Sequence, residues 1–307
     1  VTTTYTTGTG GGSSAPCGTD TLIGGGSWLV SANTTALKLN GTVPVDASGK
    51  EYTHTPGTSS STGPIPGWGT IGGAGGQTVT VTSNIQVYPM CLSSAAGIAG
   101  ADLTVVANSV SGPAAGSFTT STAACPLDIN GDQEIVVGGG ARTLPDKAGG
   151  VKPYGTYPSD SSGNPVTGTT DAFAWTALAN SGPTLTVTDT TTAYAVCAPP
   201  GFIHTTVMGA SKPIPSSGSG EARVTVTCPS PDTLLAGGVL VHSTTKPPPS
   251  GFVGTHITAD YPIKAPATNP SVTPGVATTV DSWAGVLKNG GQTVNGSIGD
   301  VYALCAT

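Results

Sequence analysis

Three sets of landmarks recur along this chain and constrain its fold more than any other feature. Tyr88, Tyr194 and Tyr302 each stand three residues before a cysteine: Cys91, Cys197 and Cys305. Trp68, Trp175 and Trp283 precede the same cysteines by 23, 22 and 22 residues. The other cysteines, Cys17, Cys125 and Cys228, each lead into a glycine-rich run: LIGGG, IVVGGG and LLAGG. Between these markers lies a further tyrosine: Tyr52 in EYT, Tyr157 in TYP and Tyr261 in DYP. A period of about 100 residues is far longer than a solenoid unit and large enough for a domain. The spacing predicts three units, at 1–98, 99–200 and 201–307, joined through the small-residue stretches SSAAGIAGA and APPG.

The repeat also selects a cysteine pairing. Six cysteines allow 15 connectivities. Only Cys17–Cys91, Cys125–Cys197 and Cys228–Cys305 let every copy close its own bridge. A disulfide closing a loop of about 75 residues contributes roughly 4 kcal/mol in the chain-entropy model, which matters for a unit with a thin core. Zinc ligation is the alternative, but the cysteines lack C-x-x-C spacing and the chain has 4 histidines.

Composition decides the secondary structure. Only 8% of residues are charged and 36% are hydrophobic, with 46 glycines and 26 prolines. Such a chain has little material for helices, while threonine-rich alternation suits strands. Val79, Val81, Ile85 and Val87 share parity with Cys91, and Leu185, Val187 and Ala195 with Cys197. Threonines and Tyr88 fall on the other face. This period of two predicts an all-β chain of three tandem β-sandwich-like domains, each closed by one disulfide.

Several function classes are disfavoured. A net charge of −6 leaves no basic patch for nucleic acid. No run of about 18 apolar residues is present, so membrane insertion is not expected. A start at Val1 reads as a mature form after signal-peptide removal, and six cysteines suit an extracellular or cell-surface location.

The segment GWGTIGG at 67–73 fits G-x-G-x-x-G, a phosphate-cradling pattern. The repeat aligns IGGAGGQ with ALANSGP and VLKNGGQ, which are hairpin-turn sequences. The Gly72–Gly76 run is therefore read as a turn, not a dinucleotide site. The three tryptophans are read as packing residues, with sugar stacking as the alternative. Asp128, Asn130, Asp132 and Glu134 alternate like the first ligands of a calcium loop, but Gly139 stands where a bidentate glutamate belongs, and a polar hairpin turn with Asn-Gly at its tip is the preferred reading. Calcium is the one cofactor considered; otherwise none is expected. Ser243-Thr244-Thr245-Lys246 fits S-x-x-K without partner motifs. His54, His204, His242 and His256 are scattered. Asn33, Asn40 and Asn295 lie in glycosylation sequons, and TPGTSSSTGP could carry O-linked sugars.

The segments CPLDINGDQEIVVGGGAR, TYPSD, FAWTALANSGPTLTVT and AYAVCA together resemble a repeat found in secreted proteins of actinobacteria and related bacteria. Copy two fits well; copy three carries Val239 in place of the third glycine; copy one has Gly18 for proline and Pro89-Met90 for the alanine after tyrosine. The resemblance implies export and a disulfide-closed β module, and carries no catalytic residue with it. The expectation is a non-enzymatic extracellular structural or adhesive protein, self-associating into a filament or surface layer through its leader VTTTYTTGTGGG and touching glycans or the cell envelope. A secreted glycan-binding module and a divergent secreted hydrolase are the alternatives.

Overall fold

The computed structural model describes residues 2–6, 10–30, 37–52, 57–74, 80–93, 103–144, 151–168, 171–182, 189–216, 220–243, 254–266, 279–290 and 296–307. It is all-β. Repeat one supplies β1 (Thr2–Thr6), β2 (Gly10–Ala15), β3 (Thr21–Val30), β4 (Leu37–Val45), β5 (Gly57–Thr62), β6 (Gly67–Ala74) and β7 (Thr80–Leu92). Repeat two supplies β8 (Thr104–Ser111), β9 (Phe118–Ala124), β10 (Ile135–Leu144), β11 (Val151–Ser159), β12 (Ala174–Ser181) and β13 (Thr190–Ala198). Repeat three supplies β14 (Thr205–Pro213), β15 (Glu221–Thr227), β16 (Thr233–Ser243), β17 (Thr255–Ile263), β18 (Ser282–Asn289) and β19 (Ser297–Ala306).

Each repeat folds as a two-layer sandwich closed by its own disulfide. Cys17–Cys91, Cys125–Cys197 and Cys228–Cys305 are all formed, each with Cα atoms 5.7 Å apart. Cys197 and Cys305 are buried as the alternation predicts, whereas Cys91 is exposed and Cys17 half-buried. The first bridge therefore lies at the surface. Val79, Leu185 and Val187 lie outside the described residues.

The layers are not private to their repeats. The strand orders are β1-β7-β3-β17-β18-β15, β2-β6-β4-β10-β13-β8-β5 and β14-β19-β16-β11-β12-β9. Each sheet thus takes one layer from each of two repeats, and the three sheets close a ring: one with three, one with two, two with three. The joins are short antiparallel pairings at equivalent places: Ala141 opposite Thr42, Val239 opposite Thr156, and Ser27 opposite Asp260.

The glycine-rich runs make this closure possible, and each glycine has its own reason. The first positions meet at the centre: a Cβ on Gly24 would touch the Ala236 methyl and the Gly138 Cα, both at 3.6 Å. The second positions, Gly25, Gly139 and Gly237, lie flat under the indoles of Trp68, Trp175 and Trp283, and a Cβ there would overlap the ring. The third positions, Gly26, Gly140 and Gly238, face the backbone carbonyls of Asp260, Thr42 and Thr156 in the adjoining repeat, with no space for a side chain. This register moves one landmark. Opposite β19, Ala236 pairs with Leu304 just as Gly24 pairs with Met90 and Gly138 with Val196. The copy-three departure is therefore Ala236 at the first position, not Val239 at the third.

A second landmark also moves. Pro44, Pro158 and Pro262 stand opposite Trp68, Trp175 and Trp283. The copy-one counterpart of Tyr157 and Tyr261 is thus Val43, and Tyr52 lies beyond the strand. Trp68 and Trp175 donate their indole N–H to Thr42 and Thr156 Oγ1 at 2.8 Å, and Trp283 to the Asp260 carboxylate.

Clasps reinforce the ring. β5 leaves repeat one and pairs along the outer edge of β8 from Gly57 opposite Ser109 to Thr62 opposite Thr104. The serine-rich tract expected to carry sugars is this clasp strand. The corresponding segment of repeat two holds β14: Gly168 donates to the Val207 carbonyl and Asp171 to that of Thr205, both at 2.7 Å. The leader pairs within its own chain, β1 on β7 and β2 on β6. Gly72 and Gly73 belong to β6 rather than to the turn expected at Gly72–Gly76, and residues 75–76 of that run lie outside the described residues.

Burial follows from ring closure. β4 and β17 are buried at every position and lose the period of two, whereas the edge strand β15 keeps it.

The central packing separates two glycines of one run type. Gly24→Ala should stay within about 0.5 kcal/mol of the parent, because the third repeat already carries Ala236 there. Gly138→Ala should cost about 3 kcal/mol or more, because its Cβ would overlap the Ile23 carbonyl. Denaturant melts under non-reducing conditions measure both; equal stabilities would contradict this packing.

Candidate functional site

The recurring residues are consumed by the fold. Trp68, Trp175 and Trp283 are completely buried, so they offer no face to a sugar. Tyr88, Tyr194 and Tyr302 are buried too. Each occupies the join between repeats: Tyr88 packs on Tyr261 at 5.9 Å and Tyr302 on Tyr157 at 6.0 Å. At the third join the partner is Val43, and Tyr194 instead donates its phenol O–H to Glu51 Oε1 at 2.8 Å. Burial, with the Glu51 charge beside it, pushes that phenol well above its usual pKa.

The calcium candidate is a turn. Asp128 Oδ1 accepts the backbone N–H groups of Asn130 and Asp132, both at 2.8 Å. Gly131 takes a left-handed φ of 88°. Glu134 is turned away, buried, and accepts from Thr104; burial raises its pKa. The four residues do not converge on one point, and among the described residues no three His, Cys, Asp or Glu groups could hold a metal ion. The same turn recurs at Asp46-Ala47-Ser48-Gly49-Lys50 and Asp160-Ser161-Ser162-Gly163-Asn164. The pattern Asp-x-Ser/Asn-Gly was the available signal, the aspartate capping the backbone donors of its own turn.

His242 and Ser211 converge on one carboxylate. Ser211 donates to Asp300 Oδ1 at 2.6 Å, and His242 Nε2 lies 3.0 Å from Asp300 Oδ2. Burial pushes the Asp300 carboxyl up, but hydrogen bonds from His242 and Ser211 outweigh it and hold the group below its usual range. The serine bonds the carboxylate instead of the imidazole, the reverse of what activation requires. His204 faces Asp171 at 3.2 Å. His54 and residues 244–246 of the S-x-x-K match lie outside the described residues, as do Asn33 and Asn295. Asn40 is buried and cannot carry a glycan in the folded chain.

Lys38, Lys152 and His256 occupy equivalent places, each four residues before the tryptophan's partner. Lys38 Nζ donates to the Val151 carbonyl, tying repeat one to repeat two. Burial pushes Lys38 down to about 8 against the pull of Asp189, and Lys152 down to about 7 with Lys38 adding to the effect.

Two surface features remain. The first is an open cleft of about 310 Å³ lined by Gly12, Ser13, Ser14, Ser48, Gly49 and Glu51. Its Glu51 is fixed by Arg142 Nε at 2.9 Å and by Tyr194. The second is an apolar end on repeat two. Leu127 (62% exposed), Ile129 (101%), Phe173 (41%) and Phe202 (40%) are four of the five exposed large hydrophobics among the described residues. They lie close along the chain or by hydrogen bond to one disulfide: Cys125 N–H donates to the Phe173 carbonyl at 2.9 Å, Leu127 and Ile129 come two and four residues after Cys125, and Phe202, at the start of repeat three, comes five after the partner Cys197.

Asp260 sets a pH dependence. It is buried where the other repeats carry threonine, and burial raises its pKa to about 8, only partly offset by the Trp283 hydrogen bond. The folded state therefore holds a proton that the unfolded state releases near pH 4, so stability falls as pH rises from about 4 towards 8. Asp260→Thr should abolish that loss and stabilise the protein at about pH 8 by ~2–5 kcal/mol. Urea midpoints across pH measure it; parallel pH profiles for parent and variant would contradict it.

No protein-family model matches the chain, and no curated protein matches it.

Proposed function

We propose that the chain is an extracellular structural or adhesive protein that works by contact rather than by catalysis. The observation that supports this most is the apolar end of repeat two. Burying large side chains is worth about 1.5–3 kcal/mol each, so four left exposed within a few residues of one disulfide or hydrogen-bonded to it favour a contact role. The turn itself does not call for Ile129, because the matching positions of the other two Asp-capped turns are Ala47 and Ser161. Three disulfides suit an oxidising exterior. The sequence resemblance to secreted bacterial repeat proteins points the same way. The closed ring supplies rigidity, and the apolar end supplies the adhesive or subunit contact.

Sedimentation and electron microscopy of the native, non-reduced protein test this reading. The expected result is concentration-dependent association into regular assemblies, weakened about tenfold or more by Ile129→Asp with Phe173→Ser. A protein that stays monomeric at every concentration, or assembles equally well with both substitutions, would overturn it.

A further inference from the structure

We infer that the cleft between β2 and the Asp46 turn is a binding site for a neutral polyhydroxylated ligand, a mono- or disaccharide in size. Its volume of about 310 Å³ lies at the small end of ligand clefts, which run roughly 300–1,000 Å³.

The chemistry follows from the lining. Most ligand clefts are apolar, with a few polar groups fixing orientation. Here the lining is inverted. Ser13, Ser14 and Ser48 present hydroxyls, Gly12 and Gly49 expose backbone, and Val45 and Ile71 are the only aliphatic side chains of the lining. Hydroxyls and bare peptide groups both donate and accept, which matches a ligand whose every edge does the same.

Charge narrows the class further. The Glu51 carboxylate in the cleft is balanced by Arg142, which is 3% exposed and lies behind it. Asp46 is also spent: its Oδ1 accepts from Ser48 N–H, Ser48 O–H and Lys50 N–H at 2.6–2.9 Å. Asp46 lies outside the lining, so the one charged group lining the cleft is Glu51, and Arg142 balances it. A neutral ligand fits the cleft.

The site is also held in place. Glu51 accepts from Arg142 through one oxygen and from Tyr194 through the other, so its orientation is set by two contacts from repeat two. Each carboxylate oxygen keeps further acceptor capacity for a ligand hydroxyl. The Asp46 turn is fixed by its own cap. The Ser14 hydroxyl stands over that turn; a Cβ on Gly49 would lie 2.8 Å from it. The wall comes from repeat one and its anchor from repeat two, so the cleft exists only because the ring closes. Repeat two has the same turn at Asp160, where the Thr122 hydroxyl stands over Gly163 as Ser14 stands over Gly49. A preformed polar site costs its ligand little ordering, and an ordered water displaced by a sugar hydroxyl is replaced in kind.

Titration of the whole, non-reduced protein with maltose, cellobiose and N,N′-diacetylchitobiose tests the inference by calorimetry and by amide chemical shifts. At least one sugar is expected to bind saturably in the millimolar range, with shifts confined to 12–14, 45–51 and 69–71. Ser14→Leu, on an exposed edge strand, should weaken binding about tenfold or more while leaving the melting temperature unchanged. Ile129→Asp should leave binding as in the parent. No saturable binding of any of the three sugars, or binding that Ser14→Leu leaves intact, would overturn the assignment.

Discussion

The fold depends on the close approach of β3, β10 and β16 at the centre of the ring. Gly24, Gly138 and Ala236 leave backbone nearly in contact there, and nothing larger than a methyl fits. From that point the rest follows. The next glycine seats a tryptophan across the two layers of a repeat. The third lets the adjoining repeat extend the sheet. A chain with 8% charged residues cannot rely on ion pairs, and with 36% hydrophobic residues its core is limited. It closes three short sheets on themselves instead, so each thin sandwich borrows half of its sheet neighbours from another.

This arrangement explains why the repeats diverge where they do. Positions fixed by the centre are the same or nearly so, while positions at the joins vary in matched sets. Tyr157 and Tyr261 fill two joins with ring contacts. The third has Val43, and Glu51 with Arg142 occupies that neighbourhood with a charged pair. Threonine caps two tryptophans and Asp260 the third. The asymmetries mark where the ring acquired particular properties: a buried acid in one place, a hydroxyl-lined cleft in another, an apolar end in a third.

Much of the architecture was legible in the sequence. Cysteine pairing and unit size came from the spacing of the repeat, which overrules the ambiguity of any single segment, and strand class came from composition and alternation. The sharing of sheets was not legible. Alternation reports which face is inward, but not which repeat pairs with the strand edge. β4 and β17 are buried on both faces and so lack even that signal. Tyr52 misled because a tyrosine seemed the natural counterpart of Tyr157 and Tyr261, when the conserved geometry is the proline opposite the tryptophan. Asp128 carried two readings, because a turn cap and a calcium loop use the same side chain for the same lone pairs, and the turn preferred from the sequence is the one formed. Of the surface features, Ile129 could have been found: a large aliphatic residue inside an acidic turn has no local use. The cleft could not, since its wall and its anchor are 91 residues apart, from Glu51 to Arg142.

The most direct measurement of the account's central claim is the behaviour of repeat two alone, residues 99–200 with its disulfide formed. Its two layers carry the open joins that repeats one and three normally fill. The closed-ring account predicts that this fragment either stays unfolded or folds only as a homotrimer that rebuilds the ring. A monodisperse, cooperatively unfolding monomer would show that each sandwich stands by itself, and would contradict it.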